Sequence, residues 1–177
     1  QLYRRDQKGI WHSIDFDLRP EIDDESIVGF NSVDGFSEQE VYAAGLNGEI
    51  WWLNSGTWVE IESPTNLPLN RIFCDDNKVY ICGRSGILLT GQRNHWSVLE
   101  EVDIDDDLWS IARFHEDLYI LGTHGLYILK DDFLQEVPIA GESIGFCQKL
   151  ITDEDRMWLI GPKDLLYYDG NNWTRVD

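Results

Sequence analysis

Basic residues are scarce in this chain. Only 14 Lys and Arg stand against 33 Asp and Glu in 177 residues, a net charge of −19. Phosphate backbones are gripped by clustered Lys and Arg, so this balance argues against nucleic acid as a partner and equally against an anionic membrane surface. It permits a basic protein partner, which a negative field would steer in. Cysteine is also sparse: Cys74, Cys82 and Cys147 each sit in an apolar run and make an odd number. They read as buried, reduced thiols of a cytoplasmic protein rather than a disulfide framework. No apolar stretch approaches the ~20 residues that span a bilayer. No window holds a helical period over three turns, and no signal peptide is visible.

Catalytic and metal-binding patterns are missing as well. There is no Gly-x-Ser-x-Gly elbow and no phosphate-cradling glycine loop ahead of a helix. His12, His95, His115 and His124 lack zinc spacing. The acidic run from Asp103 to Asp107 fails as an EF-hand, because Leu108 stands where the loop glycine belongs and Phe114 where the bidentate Glu belongs. Paired carboxylates for glycoside hydrolysis are available among so many acids, but nothing singles out a pair. The expectation is a non-enzymatic protein without metal or cofactor.

What is present is a repeat. An aromatic residue followed three positions later by glycine recurs in Val41-Tyr42-Ala43-Ala44-Gly45, Val79-Tyr80-Ile81-Cys82-Gly83, Leu118-Tyr119-Ile120-Leu121-Gly122 and Met157-Trp158-Leu159-Ile160-Gly161, at a period of about 39 residues. Gly48, Gly86 and Gly125 follow, with Asp164 in the fourth copy, and then a second apolar run. A tryptophan strand closes the unit at Trp58, Trp96 and Trp173, with Phe133 near that place in the third copy and Trp11 in an earlier one. Another short strand precedes each aromatic–glycine strand. Four short strands per ~40 residues is the signature of a β-propeller blade. The fold class expected is therefore all-β, a propeller with four complete four-stranded antiparallel blades. The chain reads as one domain over 1–177, with blade-like units at about 11–53, 58–90, 96–130 and 133–168 and partial strands at 1–5 and 173–177. The mid-unit start at Gln1 favours the C-terminal part of a larger ring over a ring of four or five blades. Its open edges would then meet either its own missing N-terminal blades or a second copy.

In such a blade the loop entering the inner strand shares an end with the loop between strands two and three. Loops 17–25 and 100–107 are of the first kind and carry Asp23, Asp24, Glu25, Asp103, Asp105, Asp106 and Asp107. Asn47, Arg84, His124 and Lys163 tip the second kind. These residues are the candidate partner-binding set, since function usually sits on loops held by a rigid scaffold. The opposite end is acidic too, at Asp75, Asp76, Glu116, Asp117, Asp153, Glu154 and Asp155.

The aromatic-x-x-Gly-x-x-Gly pattern, together with Tyr168-Asp169-Gly170-Asn171-Asn172-Trp173-Thr174, resembles bacterial propeller repeats of the neuraminidase-type and photosystem II assembly-factor-like class. Tyr167 stands where a strict Asp-box needs Ser or Thr, so the sialidase subclass is not supported. Segments such as Asp34-Gly35-Phe36-Ser37, Gly48-Glu49-Ile50-Trp51, Ser63-Pro64-Thr65-Asn66-Leu67 and Gly161-Pro162-Lys163-Asp164 resemble uncharacterised proteobacterial propeller proteins found near polymorphic-toxin and secretion-system loci. That resemblance implies an immunity protein that binds and neutralises a toxin or effector. The alternatives are a scaffold or assembly-factor propeller and, less favoured, a glycan- or peptide-processing hydrolase.

Overall fold

The computed structural model describes residues 2–14, 18, 29–99, 104–139 and 146–176. It is all-β. A short hairpin of β1 (Tyr3–Arg5) and β2 (Trp11–Ser13) precedes four antiparallel sheets of four strands each. The first sheet holds β3 (Phe30–Ser37), β4 (Glu40–Gly45), β5 (Ile50–Asn54) and β6 (Thr57–Ile61). The second holds β7 (Leu69–Asp75), β8 (Lys78–Gly83), β9 (Leu88–Gln92) and β10 (His95–Val98). The third holds β11 (Leu108–Phe114), β12 (Asp117–Gly122), β13 (Leu126–Lys130) and β14 (Phe133–Glu136). The fourth holds β15 (Lys149–Thr152), β16 (Met157–Ile160), β17 (Leu165–Tyr168) and β18 (Trp173–Arg175).

The sheets are out of phase by one strand with the units at 11–53, 58–90, 96–130 and 133–168. Trp58 and Trp96 pair with Leu53 and Gly91 of the strand before them, across tight turns. The tryptophan strand therefore ends a sheet and does not begin one. In the third sheet the residue in register with those tryptophans is Leu134, paired with Leu129; Phe133 is exposed on the other face. The period-2 alternation of a strand makes this one-residue distinction decide which side chain packs.

Three apolar clusters lie between successive sheets. One joins Tyr42, Ile50 and Ile61 to Leu69, Ile72 and Ile81. Another joins Cys82 and Leu88 to Leu108, Ile111 and Ile120. The last joins Ala112, Leu121 and Leu126 to Leu150, Met157 and Leu166. Ile81 and Cys82 are neighbours in β8 yet belong to different clusters, because alternate residues face opposite sheets. Stacking has open ends. Val33, Ile72, Ile111 and Leu150 occupy one repeat position, and they are 48%, 0%, 2% and 5% exposed. Val33 stands in the first four-stranded sheet, and among the described residues no other four-stranded sheet precedes it. On the other side of the stack, Ile151 of β15 is exposed for the matching reason.

Side chains also bridge the sheets. Each of the first three inner strands carries a register shift at its second residue, at Phe30/Ser32, Leu69/Arg71 and Leu108/Ser110. A bulge re-aims the extra side chain. Asn31 Nδ2 thereby donates to Leu69 O at 2.9 Å, and Asn70 Nδ2 to Leu108 O at 2.8 Å. Ser32 Oγ accepts from Ile72 N at 3.0 Å, Asp34 Oδ2 from Cys74 N at 2.9 Å, and Ser110 Oγ from Leu150 N at 3.1 Å. Arg113 donates through Nε to both carboxylate oxygens of Asp75. The inner-strand edge of each later sheet thus finds hydrogen-bond partners in the sheet before it, as buried backbone groups require.

Candidate partner-binding face

The recurrent glycine fixes the geometry of the loop end. Gly45, Gly83 and Gly122 end the second strand of their sheets, and Gly161 directly follows β16. An added Cβ would overlap Gly29 O, Pro68 O, Asp106 Oδ2 and Phe146 O respectively. The chain entering the inner strand presses against this spot in every copy, and only glycine leaves room. Gly48 and Gly86, both with positive φ, are pressed in the same way by Thr65 O and Ile104 O. The two kinds of loop therefore share one end of the stack.

Of the candidate set, Asp23, Asp24, Glu25 and Asp103 lie outside the described residues. The others sit at this end. Asn47 is exposed in the β4–β5 turn, its N–H donating to Glu49 Oε2 at 2.6 Å. Arg84 is exposed in the β8–β9 turn, where its N–H donates to Pro68 O at 2.9 Å. Lys163 is exposed in the β16–β17 turn. Asp107 is half-buried, and its Oδ1 accepts from Ser85 N at 3.0 Å. Asp105 is exposed.

Asp106 has a different environment from its neighbours. It is 6% exposed. Its carboxylate accepts from Thr123 N (3.1 Å), His124 N (2.9 Å) and Tyr127 Oη (3.2 Å), and lies 3.1 Å from His124 Nδ1. It ties the loop before β11 to the β12–β13 turn and leaves the His124 ring projecting to solvent. Of this acidic run, then, Asp105 and part of Asp107 face outward. At the opposite end, Asp75 pairs with Arg113 and Asp117 with Lys130. Asp153 Oδ1 accepts from Asp155 N and Arg156 N, which holds its carboxyl below the ordinary range. Asp75, Asp117 and Asp153 are thus engaged at that end, while Asp105, Asn47, Arg84 and Lys163 are exposed at the loop end.

Two cations at the loop end escape a reading by net charge. Arg71 and Lys149 are exposed and take part in no ion pair among the described residues. Both line one cavity of about 480 Å³, where the inner strands β7, β11 and β15 begin. The signal was available as a pattern: the position that reads Ser32, Arg71, Ser110, Lys149 alternates hydroxyl and cation at a spacing of one repeat.

No family model matches the chain. The chain is 40% identical over 178 aligned positions to the immune protein Tsi7 of Pseudomonas aeruginosa, covering 100% of this chain and 58% of that relative. It thus spans under two thirds of the relative's length. Among solved structures, the extracellular domain of BT4673 from B. thetaiotaomicron superposes with a TM-score of 0.73 at 12% identity, over 99% of this chain and 27% of that one. YCF48 bound to D1 peptide gives 0.66 at 12% identity, over 96% and 58%. These two likenesses establish the propeller-like fold.

Proposed function

We propose that this chain is the partner-binding part of a bacterial immunity protein, which neutralises a cognate toxin or effector by covering its active surface. The observation that carries this reading is the 40% identity to an immune protein along the entire chain. The loop end adds a mechanism. Asp105 and Asp107 lie on loops stapled to a rigid stack, within a chain of net charge −19. A basic toxin domain would be drawn to such a surface quickly, and the attraction would weaken with salt as the Debye length falls to about 8 Å at 0.15 M. Three thiols that form no disulfide suit action in the reducing cytoplasm of the cell that carries both genes. The chain itself supplies no catalytic step in this reading; it acts by occlusion. The test is direct. The cognate toxin that this reading requires is assayed with and without an equimolar amount of the purified protein. Loss of toxin activity, with an association rate that drops steeply between 50 and 500 mM salt, supports the reading. Full toxin activity at equimolar inhibitor refutes it.

A further inference from the structure

The repeat position occupied by Ser32, Arg71, Ser110 and Lys149 carries two different chemistries. The two serines are buried, and each accepts an inner-strand N–H of the following sheet, from Ile72 and Leu150. The register is the same in the second and third sheets, so Arg71 and Ile111 hold the repeat positions of Ser32 and Ile72, and no side-chain hydrogen bond joins them. A guanidinium has no acceptor to offer the Ile111 N–H. The second sheet therefore forgoes a stabilising bond that the first and third make, and places a cation there instead. A position that breaks its own local rule without structural gain is where function is expected.

The cavity gives those cations a use. Arg71 and Lys149 stand on its wall with Asn70, Trp109 and Ser110. Trp109 packs edge-on against Phe146, their ring centroids 6.2 Å apart, beside the opening. The other cations with partners make defined ion pairs: Arg93 with Glu40, Arg113 with Asp75, Lys130 with Asp117 and Arg175 with Asp164. We propose that this cavity is an oxyanion-binding socket that receives a single carboxylate from a protein partner, held by Arg71 and Lys149. A polyanion such as a nucleic acid would be repelled by the acids outside, given the net charge of −19. One carboxylate set in a basic surface meets attraction at both the rim and the socket. This site rests on the reading of the chain as a protein-binding module and specifies the chemistry of the docked surface.

The test uses two synthetic peptides, acetyl-Lys-Lys-Phe-Glu-Lys-Lys-amide and its Gln counterpart, titrated into the purified protein. Affinity is read by calorimetry, and the location by the Arg71 Nε–Hε resonance. The Glu peptide should bind about tenfold more tightly, as expected for one charge-assisted hydrogen-bonded pair. It should shift the Arg71 resonance, and the preference should vanish in the Arg71→Gln/Lys149→Gln double variant. Arg71→Lys, which keeps the charge, should retain it. Equal affinity for the two peptides, or a preference that survives in a double variant with an unchanged thermal midpoint, overturns the socket. Displacement of the Glu peptide by inorganic phosphate at far lower concentration than by acetate overturns its assignment to carboxylate. A protein that selects the Glu peptide yet leaves the toxin active refutes the immunity reading alone. One that inhibits the toxin without selecting the peptide refutes the socket alone.

Discussion

Replacing Asp106 with alanine separates an internal strut from a partner contact. Its carboxylate receives two backbone N–H groups, from Thr123 and His124, and the Tyr127 hydroxyl, and it is 6% exposed. The His124 ring is mostly in solvent and can turn to water, so it adds little. Truncation leaves two amides and a hydroxyl facing a small void. At about 1–3 kcal/mol for each buried donor left without a partner, and with water reaching some of them, the expected loss is about 3 kcal/mol. Asp106→Asn keeps one acceptor oxygen but turns a second donor toward existing donors, and should cost about half as much. Asp105→Asn, one residue away and exposed, should stay within about 0.5 kcal/mol of the parent. Urea unfolding followed by tryptophan fluorescence reads all three, provided the slope with denaturant is unchanged. If Asp106→Ala and Asp105→Asn shift the midpoint equally, the assignment of Asp106 as a strut is wrong. Asp106 would then belong with the exposed carboxylates.

Arg71→Ser should raise stability by about 1 kcal/mol, because a hydroxyl there can accept the Ile111 N–H as Ser32 accepts Ile72 N–H; an unchanged or lower urea midpoint would contradict this. Gly83→Ala should cost about 2–3 kcal/mol, since the new methyl meets Pro68 O and Leu69 Cα, both backbone atoms that cannot rotate away. Gly29→Ala, whose Cβ would find, among the described residues, only Leu46 Cδ1 at 3.7 Å, should be neutral or slightly stabilising in the same assay. Burial pushes the Cys82 thiol up to about 12, and burial with the nearby Asp34 and Glu40 charges does the same for Cys74. At pH 8 Cys82 should react with a disulfide reagent only at the rate of unfolding, and the part-exposed Cys74 more slowly than a free thiol, whereas prompt labelling of Cys82 in the native protein would show it accessible.

The fold was legible because its signal is doubly redundant. An aromatic strand and a glycine recur at one spacing, and the glycine is demanded by backbone contact at Gly45, Gly83 and Gly161 and by the Asp106 carboxylate at Gly122. The phase of the sheets was not legible. Periodicity marks where Trp58 and Trp96 recur but not whether each bonds the strand before or after it, and that depends on turn length. Phe133 drew attention as the aromatic nearest the expected place, although Leu134 is the residue in register. The shared loop end could be read from blade geometry, and the bonds Ser85 N to Asp107 and His124 N to Asp106 place those loops together. That Asp106 turns inward could not be read, since composition does not tell one acid in a run from the next. Arg71 and Lys149 were hidden by the net charge, which averages away two cations that matter by position.

The bridging side chains give the stack a direction. Ser32 and Asp34 serve the amides of Ile72 and Cys74, and Ser110 serves that of Leu150, always from an earlier sheet to a later one. What a sheet needs at its inner edge is thus encoded one repeat upstream of it. Blades of this protein are therefore not interchangeable cassettes. Moving the second sheet in front of any other would hand its new successor an arginine where a hydroxyl is needed, while duplicating the first would supply one. Gene rearrangements that shuffle such repeats should be constrained by what each unit hands forward, and only weakly by its own internal fit.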